Sequence, residues 1–378
     1  MTSLLKNLKA KPLPKKPSDP LWAGPEDSGP KGGVTQSMLQ RFLCCRERFR
    51  IKYIEGLEPT QGWSKPMGFG NMWHVCEEAA AAKKDHKAPL IAYMQQQFLE
   101  FPFERETIEH WATICLVQFP CYQRYWAKHP DQDERQPLLQ EAEFHVPIKL
   151  PSGRTVYLRG KWDSVDLIPK GENTGIWLME NKTKSKIDES MLRRSLRFDL
   201  QTMTYLTTLR LFDEIKVGKR DEKRLGKYAD QIQGVRYNVI RRDMPIRQHK
   251  PSKSKPKGES VDEYFARFQQ DYLDAEPENW FKRWNSKVTS RDIERFQVEF
   301  LFPILEQLCD WYDWMRNVFG TTIDPYKNPV HWRAPFGVYN GLIESGATEY
   351  DSYIESGNST GLVYRGRLFP ELNHEKKG

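Results

Sequence analysis

Behind Thr35 and Ser37, apolar residues recur every three or four positions at Met38, Phe42, Cys45, Phe49 and Tyr53. That is the spacing of one helix face with a hydroxyl to cap it, so a helix is predicted from about 35 to Gly56. Similar periodicity predicts helices from His74 to Ala82 and over 88–100 and 105–128. The period then changes. From Glu141, Ala142, Phe144, Val146, Ile148 and Leu150 alternate with Glu143, His145, Pro147 and Lys149, which describes a strand with one solvated face. Pro147 cannot donate to a ladder, so this strand belongs at an edge. A PSG turn at 151–153 leads into RTVYLRGKWDSVDLI, and the loop 169–175 leads into the apolar run IWLMENKT. Three successive strands follow from these turns. A helix over 198–212 and a β-branched, aromatic strand at 231–240 complete a β, β, β, α, β order. Helices are expected again at 259–274 and 289–318, and no clear period is visible from Gly320 onward. The fold class is therefore α+β.

Composition adds boundaries. Residues 1–33 are rich in Pro, Gly and Lys and have too little apolar surface to offset ordering entropy, so a disordered basic tail is expected there. The remaining chain is expected as a core at 34–242, a flexible basic loop at 243–258 and an aromatic-rich helical region at 259–378. The six cysteines form neither zinc-type pairs nor a disulfide framework, and no apolar run suits a signal peptide or a membrane span. A cytoplasmic protein is expected. No GxxxxGK[ST] motif is present, which excludes a nucleotide-driven motor of that type.

Net charge is +7, but its placement matters more. Residues 1–33, 184–197 and 241–258 carry +3, +3 and +6, so the rest of the chain is acidic. Local basic strips suit a polyanion, because neutralised phosphates release counterions. Lys184, Lys186, Arg193, Arg194, Arg197, Arg241 and Arg242 are the candidate contacts for such a polyanion. The alternative use of such runs is a solvated loop.

Glu180 and Lys182 stand two apart in a strand, so both leave the same sheet face. Asp163 lies in the preceding strand, and an antiparallel hairpin can bring its carboxylate beside Glu180. Two carboxylates make a hard oxygen site for Mg²⁺ or Mn²⁺, with a lysine ready to offset charge on a phosphoryl group. The position of this pair after Ile176–Met179 strengthens the case, since an unpaired carboxylate at the end of a buried run is costly.

Taken together, SMLQRFLCCRERFRIKYIEGL, MGFGNMWH, GKWDSVD, MENKTK and DLQTMTYL resemble, in order and spacing, the motifs of RecB-like PD-(D/E)XK nucleases over about 35–210. The resemblance implies a restriction-endonuclease-like core with a mixed sheet flanked by helices, and Mg- or Mn-dependent hydrolysis of DNA. It implies metal binding by Asp163, Glu180, His74 and the main-chain carbonyl of Asn181, and a catalytic role for Lys182. It also places Gln201 and Tyr205 on one helix face directed at DNA or Lys182, for which ordinary packing is the alternative. Exonuclease work in recombination, repair or mobile-element processing follows, with a separate helicase or recombination protein as the kind of partner implied and no membrane.

Some relatives of this kind hold an iron–sulfur cluster with one cysteine in the first helix and three near the C-terminus. Here Cys44 and Cys45 match the first, but Cys309 is the sole cysteine after Cys121, so no cluster is expected and a buried role is assigned to Cys44 or Cys45. Trp280, Trp284, Trp311, Trp314 and Trp332 are expected to pack in the core more than to stack on bases. Two rivals remain: a non-catalytic nucleic-acid-binding module that keeps the fold, and an RNA-cleaving enzyme.

Overall fold

The structure is a computed structural model that describes residues 21–59, 62–129, 135–211, 231–244, 246–251, 256–318, 362–364, 368, 369 and 372. Most of the basic tail, parts of the basic loop, Trp332 and nearly all of the chain beyond 318 lie outside the described residues. The described residues fall into two compact units. One draws on those before Gln61, on Pro147–Gly160 and on those from Val298; the other holds Gln61–Val146 and Lys161–Gln297.

In the first unit, β1 (Val34–Thr35) leads into α1 (Gln36–Cys44), whose first turn is capped by the Thr35 hydroxyl accepting from Met38 N. The helix expected to run on to Gly56 breaks at Cys45, which is extended at φ −166° and ψ 116°. It resumes as α2 (Arg46–Phe49) and a π-helical turn at Arg50–Ile54. Cys45 is buried, as expected for one of the pair, and Cys44 is half-buried. β2 (Leu57–Pro59) follows. The disordered tail expected up to Gly33 is corrected from residue 21 onward. Trp22 is buried, donates to Gly33 O at 2.8 Å, and packs on Phe49 and Tyr312. One tryptophan thus supplies the apolar surface that the segment's composition lacks.

The second unit opens with α3 (Lys65–Ala81), α4 (Lys87–Glu100) and α5 (Arg105–Lys128). β3 (Gln136–Lys149) and β4 (Thr155–Ile168) are long strands whose far ends belong to the first unit. Then come β5 (Gly175–Lys184), α6 (Glu189–Leu196), α7 (Leu200–Arg210), β6 (Ile232–Arg241), α8 (Val261–Phe268), β7 (Phe281–Lys287) and α9 (Ser290–Phe296). α10 (Phe302–Val318) and the short β8 (Leu362–Tyr364), paired with β2, belong to the first unit. The expected β, β, β, α, β order is present. β7 was not expected: FKRWNSK carries too many cations to look like a strand, but it lies against β6 with Trp284 opposite Tyr237.

The sheet is mixed. β3 pairs with β4, β4 runs antiparallel to β5, β5 parallel to β6, and β6 antiparallel to β7, while β1 lies parallel on β4. In the second unit, alternation along β6 separates two helical layers. Tyr237 bonds to Thr202 of α7, whereas Asn238 bonds to Tyr122 of α5 and Ile240 joins the apolar cluster of α3, α5 and α8. That cluster includes Trp73, Phe119, Phe268 and Trp280. Trp284 is buried too, Trp311 packs on Phe42 and Phe49, and Trp314 is exposed. Core packing, the expected use, accounts for most of these tryptophans.

Candidate active site

The β4–β5 ladder runs from Ile168 opposite Gly175 to Ser164 opposite Met179. One step further, Asp163 would face Glu180. There the Asn181 amide donates to Asp163 Oδ2 at 2.9 Å, so a side-chain carboxylate takes over a backbone bond where the two strands part. β5 keeps its full pairing with β6 through this region, Glu180 with Tyr237 and Lys182 with Val239. The acid and the base therefore sit on rigid backbone while space opens on the β4 side.

Glu180 is 2% exposed. Its Oε1 accepts from Lys182 Nζ at 2.6 Å and from Gln201 Nε2 at 2.9 Å, and Lys182 also donates to Gln201 Oε1 at 2.8 Å. Gln201 can reach both because α7 is fixed at its start. Asp199 caps it by accepting from Thr202 N at 2.7 Å, and Tyr237 OH lies 2.6 Å from the Thr202 hydroxyl. Burial, opposed by Lys182 and reinforced by Asp163, pushes the Glu180 carboxyl up to about 7. Burial alone would lower Lys182, but Glu180 outweighs it and the ammonium is retained.

His74 approaches from α3, with Nδ1 3.1 Å from Glu141 Oε1 and 3.9 Å from Asp163 Oδ1. α3 begins earlier than the predicted His74, at Lys65, so the whole of MGFGNMWH is helical. Gly68 is required within it, because a Cβ there would meet the Trp63 ring at 2.2 Å. Burial pulls the His74 imidazole down, but Asp163 and Glu141, with Glu180 beyond them, raise it to about 9.

Glu141 was not anticipated from sequence. It stands at φ +46° within β3, a left-handed conformation that a non-glycine residue adopts at a cost of order 1–3 kcal/mol and that clusters at functional sites. The break shifts the burial parity of the strand: Leu139 is buried before it, and Phe144, Val146 and Ile148 after it. Glu141 is thereby turned toward His74 and toward Lys161, whose Nζ lies 2.5 Å from Oε2. Burial would raise the Glu141 carboxyl, but His74 and Lys161 hold it below the usual range.

Donor atoms of His74, Glu141 and Asp163 lie within 4.8 Å of one another, a suitable set for a metal ion. The fit has an independent mark. Glu180 Oε2 is buried and accepts no hydrogen bond, a state that costs free energy unless a cation answers it. Imidazole nitrogen with carboxylate oxygens suits a hard or borderline divalent ion.

Of the residues singled out from sequence, the structure brings His74, Asp163, Glu180, Asn181, Lys182 and Gln201 together. Tyr205, one turn beyond Gln201, sets its ring edge-on to Phe144 at 5.5 Å. Lys186, Arg193, Arg194 and Arg197 are exposed. Arg193 pairs with Glu189 and covers the Trp284 ring, and Arg197 lies over Phe198. Lys184 is half-buried, Arg241 stacks on Trp280, and Arg242 donates to Thr183 O.

The family model of the PD-(D/E)XK nuclease superfamily matches residues 34–311. The chain belongs to that superfamily. In this PD-(D/E)XK nuclease Asp163 of β4 and Glu180 and Lys182 of β5 stand where the two strands diverge. A search of curated proteins found no match to the chain. Among the described residues, no helix is long and apolar enough to cross a membrane.

Proposed function

We propose that the chain is a Mg²⁺- or Mn²⁺-dependent deoxyribonuclease, a RecB-like exonuclease acting in recombination, repair or mobile-element processing. The observation that carries this reading is Glu180 Oε2, a buried carboxylate oxygen without a hydrogen-bond partner in a site where His74, Glu141 and Asp163 also converge. His74, Asp163, Glu180 and Glu141 would hold the ion, with the Asn181 carbonyl as a further ligand. Once bound, a divalent ion supplies Lewis acidity toward a phosphoryl oxygen and lowers the pKa of a water.

The chain's own groups do the rest. Lys182 presents an ammonium to the charge that grows on the phosphate, and Gln201, bonded to both Lys182 and Glu180, fixes its direction. Asp163 is oriented by the Asn181 amide. Tyr205, one turn further along the same helix, has its ring against the buried Phe144 and would support the position of α7. Lys184, Lys186, Arg193, Arg194, Arg197, Arg241 and Arg242 supply phosphate contacts that position DNA without reading its sequence. A helicase or recombination protein delivers the DNA end.

Purified protein offered linear duplex DNA, circular duplex DNA and RNA, with Mg²⁺, with Mn²⁺ and with chelator, tests the reading. Metal-dependent loss of the linear duplex alone is expected. Cleavage of RNA alone would move the protein to the ribonucleases. Binding without cleavage under every condition would leave a nucleic-acid-binding module.

A further inference from the structure

Two lysines answer the carboxylates of the site, and they are placed differently. Lys182 bonds to Glu180 Oε1 and to Gln201, in line with the catalytic motif. Lys161 stands on β4, two residues before Asp163 and so on the same side of that strand. Its Nζ lies 2.5 Å from Glu141 Oε2, while Glu141 Oε1 faces His74 at 3.1 Å. The left-handed backbone of Glu141 is what lets one carboxylate span both partners. Both of its oxygens are thus engaged by the chain itself, one of them by a permanent cation.

Charge decides what more the site can take. Glu141, Asp163 and Glu180 bring three negative charges, and Lys161 and Lys182 return two positive ones. One divalent ion leaves a single positive excess, which a phosphodiester then balances. A second divalent ion would raise the excess to three positive charges, more than a phosphodiester balances even with Glu78 near Lys161 and Asp199 near Lys182, and like charges in a partly buried site repel more strongly than in water. We propose that Lys161 stands in for a second metal, so that the nuclease site holds one divalent cation per chain. The proposal rests on the divalent-cation reading above and deepens it. Lys161 acts as a positioning residue: it holds Glu141 Oε2 and leaves Oε1 and His74 to the ion.

Counting bound Mn²⁺ on the full-length protein tests this without reference to cleavage, by equilibrium dialysis or by the electron paramagnetic resonance of free Mn²⁺. Wild type should bind one ion at the site, Lys161→Met and Lys161→Gln should each bind two, and Lys161→Arg should return to one. The two neutral variants differ in size and polarity, so a folding defect in one leaves the other to be read. Asp163→Ala identifies ions that belong to the site by failing to bind them. Two site ions in wild type, or a single ion in a folded neutral variant, would overturn the role of Lys161 while leaving the metal reading intact. If Asp163→Ala instead binds as many ions as wild type, the metal reading itself is defeated.

Discussion

Asp166 and Glu180 are buried carboxylates on neighbouring strands, 0% and 2% exposed, and the chain treats them in opposite ways. Asp166 is answered by an arginine: Arg135 Nε lies 2.7 Å from Oδ2 in an ion pair, although that oxygen, like Glu180 Oε2, accepts no hydrogen bond, and the Ser164 hydroxyl donates to Oδ1. Glu180 has two donors crowded on Oε1 and none on Oε2. Burial raises both carboxyls, Asp166 against the pull of Arg135 and Glu180 against that of Lys182. The difference lies in what completes them. Asp166 is neutralised from within and holds the fold together, whereas Glu180 is left one cation short beside a histidine and two more acids. The groups gathered around each carboxylate, an arginine for Asp166 and a lysine, a histidine and a second acid for Glu180, separate the site carboxylate from the structural one more than burial does.

The largest effect that would sharpen this contrast is on rate. Asp163→Ala, Glu180→Ala and Lys182→Ala should each lower cleavage by about a thousandfold or more, roughly 4 kcal/mol of transition-state stabilisation, with far-ultraviolet circular dichroism unchanged. Activity within tenfold of wild type in any two would remove the assigned site. Asp166→Ala should do the reverse. It strands the largely buried Arg135 guanidinium and should cost about 3 kcal/mol in urea unfolding, while turnover per folded molecule is preserved.

A smaller effect has the opposite sign. The raised pKa of Glu180 means that the folded state binds this proton more tightly than the unfolded chain does. The associated stability is therefore present below the ordinary carboxylate value and is lost as pH rises through about 7. Without metal, Glu180→Gln should be more stable than wild type at pH 8 by about 1–3 kcal/mol, with little gain at pH 5. Asp166 is raised with the same sign, but Asp166→Asn also takes the charged partner from Arg135, so it should gain less at pH 8 than Glu180→Gln. An equal gain in both variants would erase the distinction between the two carboxylates. Smallest is the contribution of the exposed cations. Replacing Lys186, Arg194 and Arg197 with Ala should flatten the salt dependence of duplex binding by roughly 0.9 unit of slope for each phosphate that is no longer neutralised, and identical slopes would leave these residues without a role in binding.

Much of the fold was legible because alternation and helical spacing are strong from Phe144 to Ile240, where the sheet and α7 lie. Asp163, Glu180, Lys182 and Gln201 were legible as motif residues, and pairing alone brings three of them together. Glu141 was not, because the alternation of EAEFHVPIKL assigns it to a solvated face. Its role depends on a positive φ that nothing in the local pattern announces. Lys161 was hidden for the same reason, since its partner is Glu141. β7 was missed because its two buried residues, Phe281 and Trp284, are separated by cations and stand three apart, off the period of two. The folding of Leu21–Gly33 depends on where one tryptophan finds its partners, which composition cannot state.

The central claim, that the unsatisfied carboxylate cluster is a cation site, is tested most directly by the thermal shift that Mn²⁺ produces at two pH values. Metal-free Glu180 and His74, raised to about 7 and about 9, both hold protons at pH 6 that an ion must displace. The shift in wild type should therefore be larger at pH 8.5 than at pH 6, vanish in Asp163→Asn, and persist in Asp166→Asn. A shift of equal size in wild type and Asp163→Asn, unchanged between the two pH values, would contradict the account.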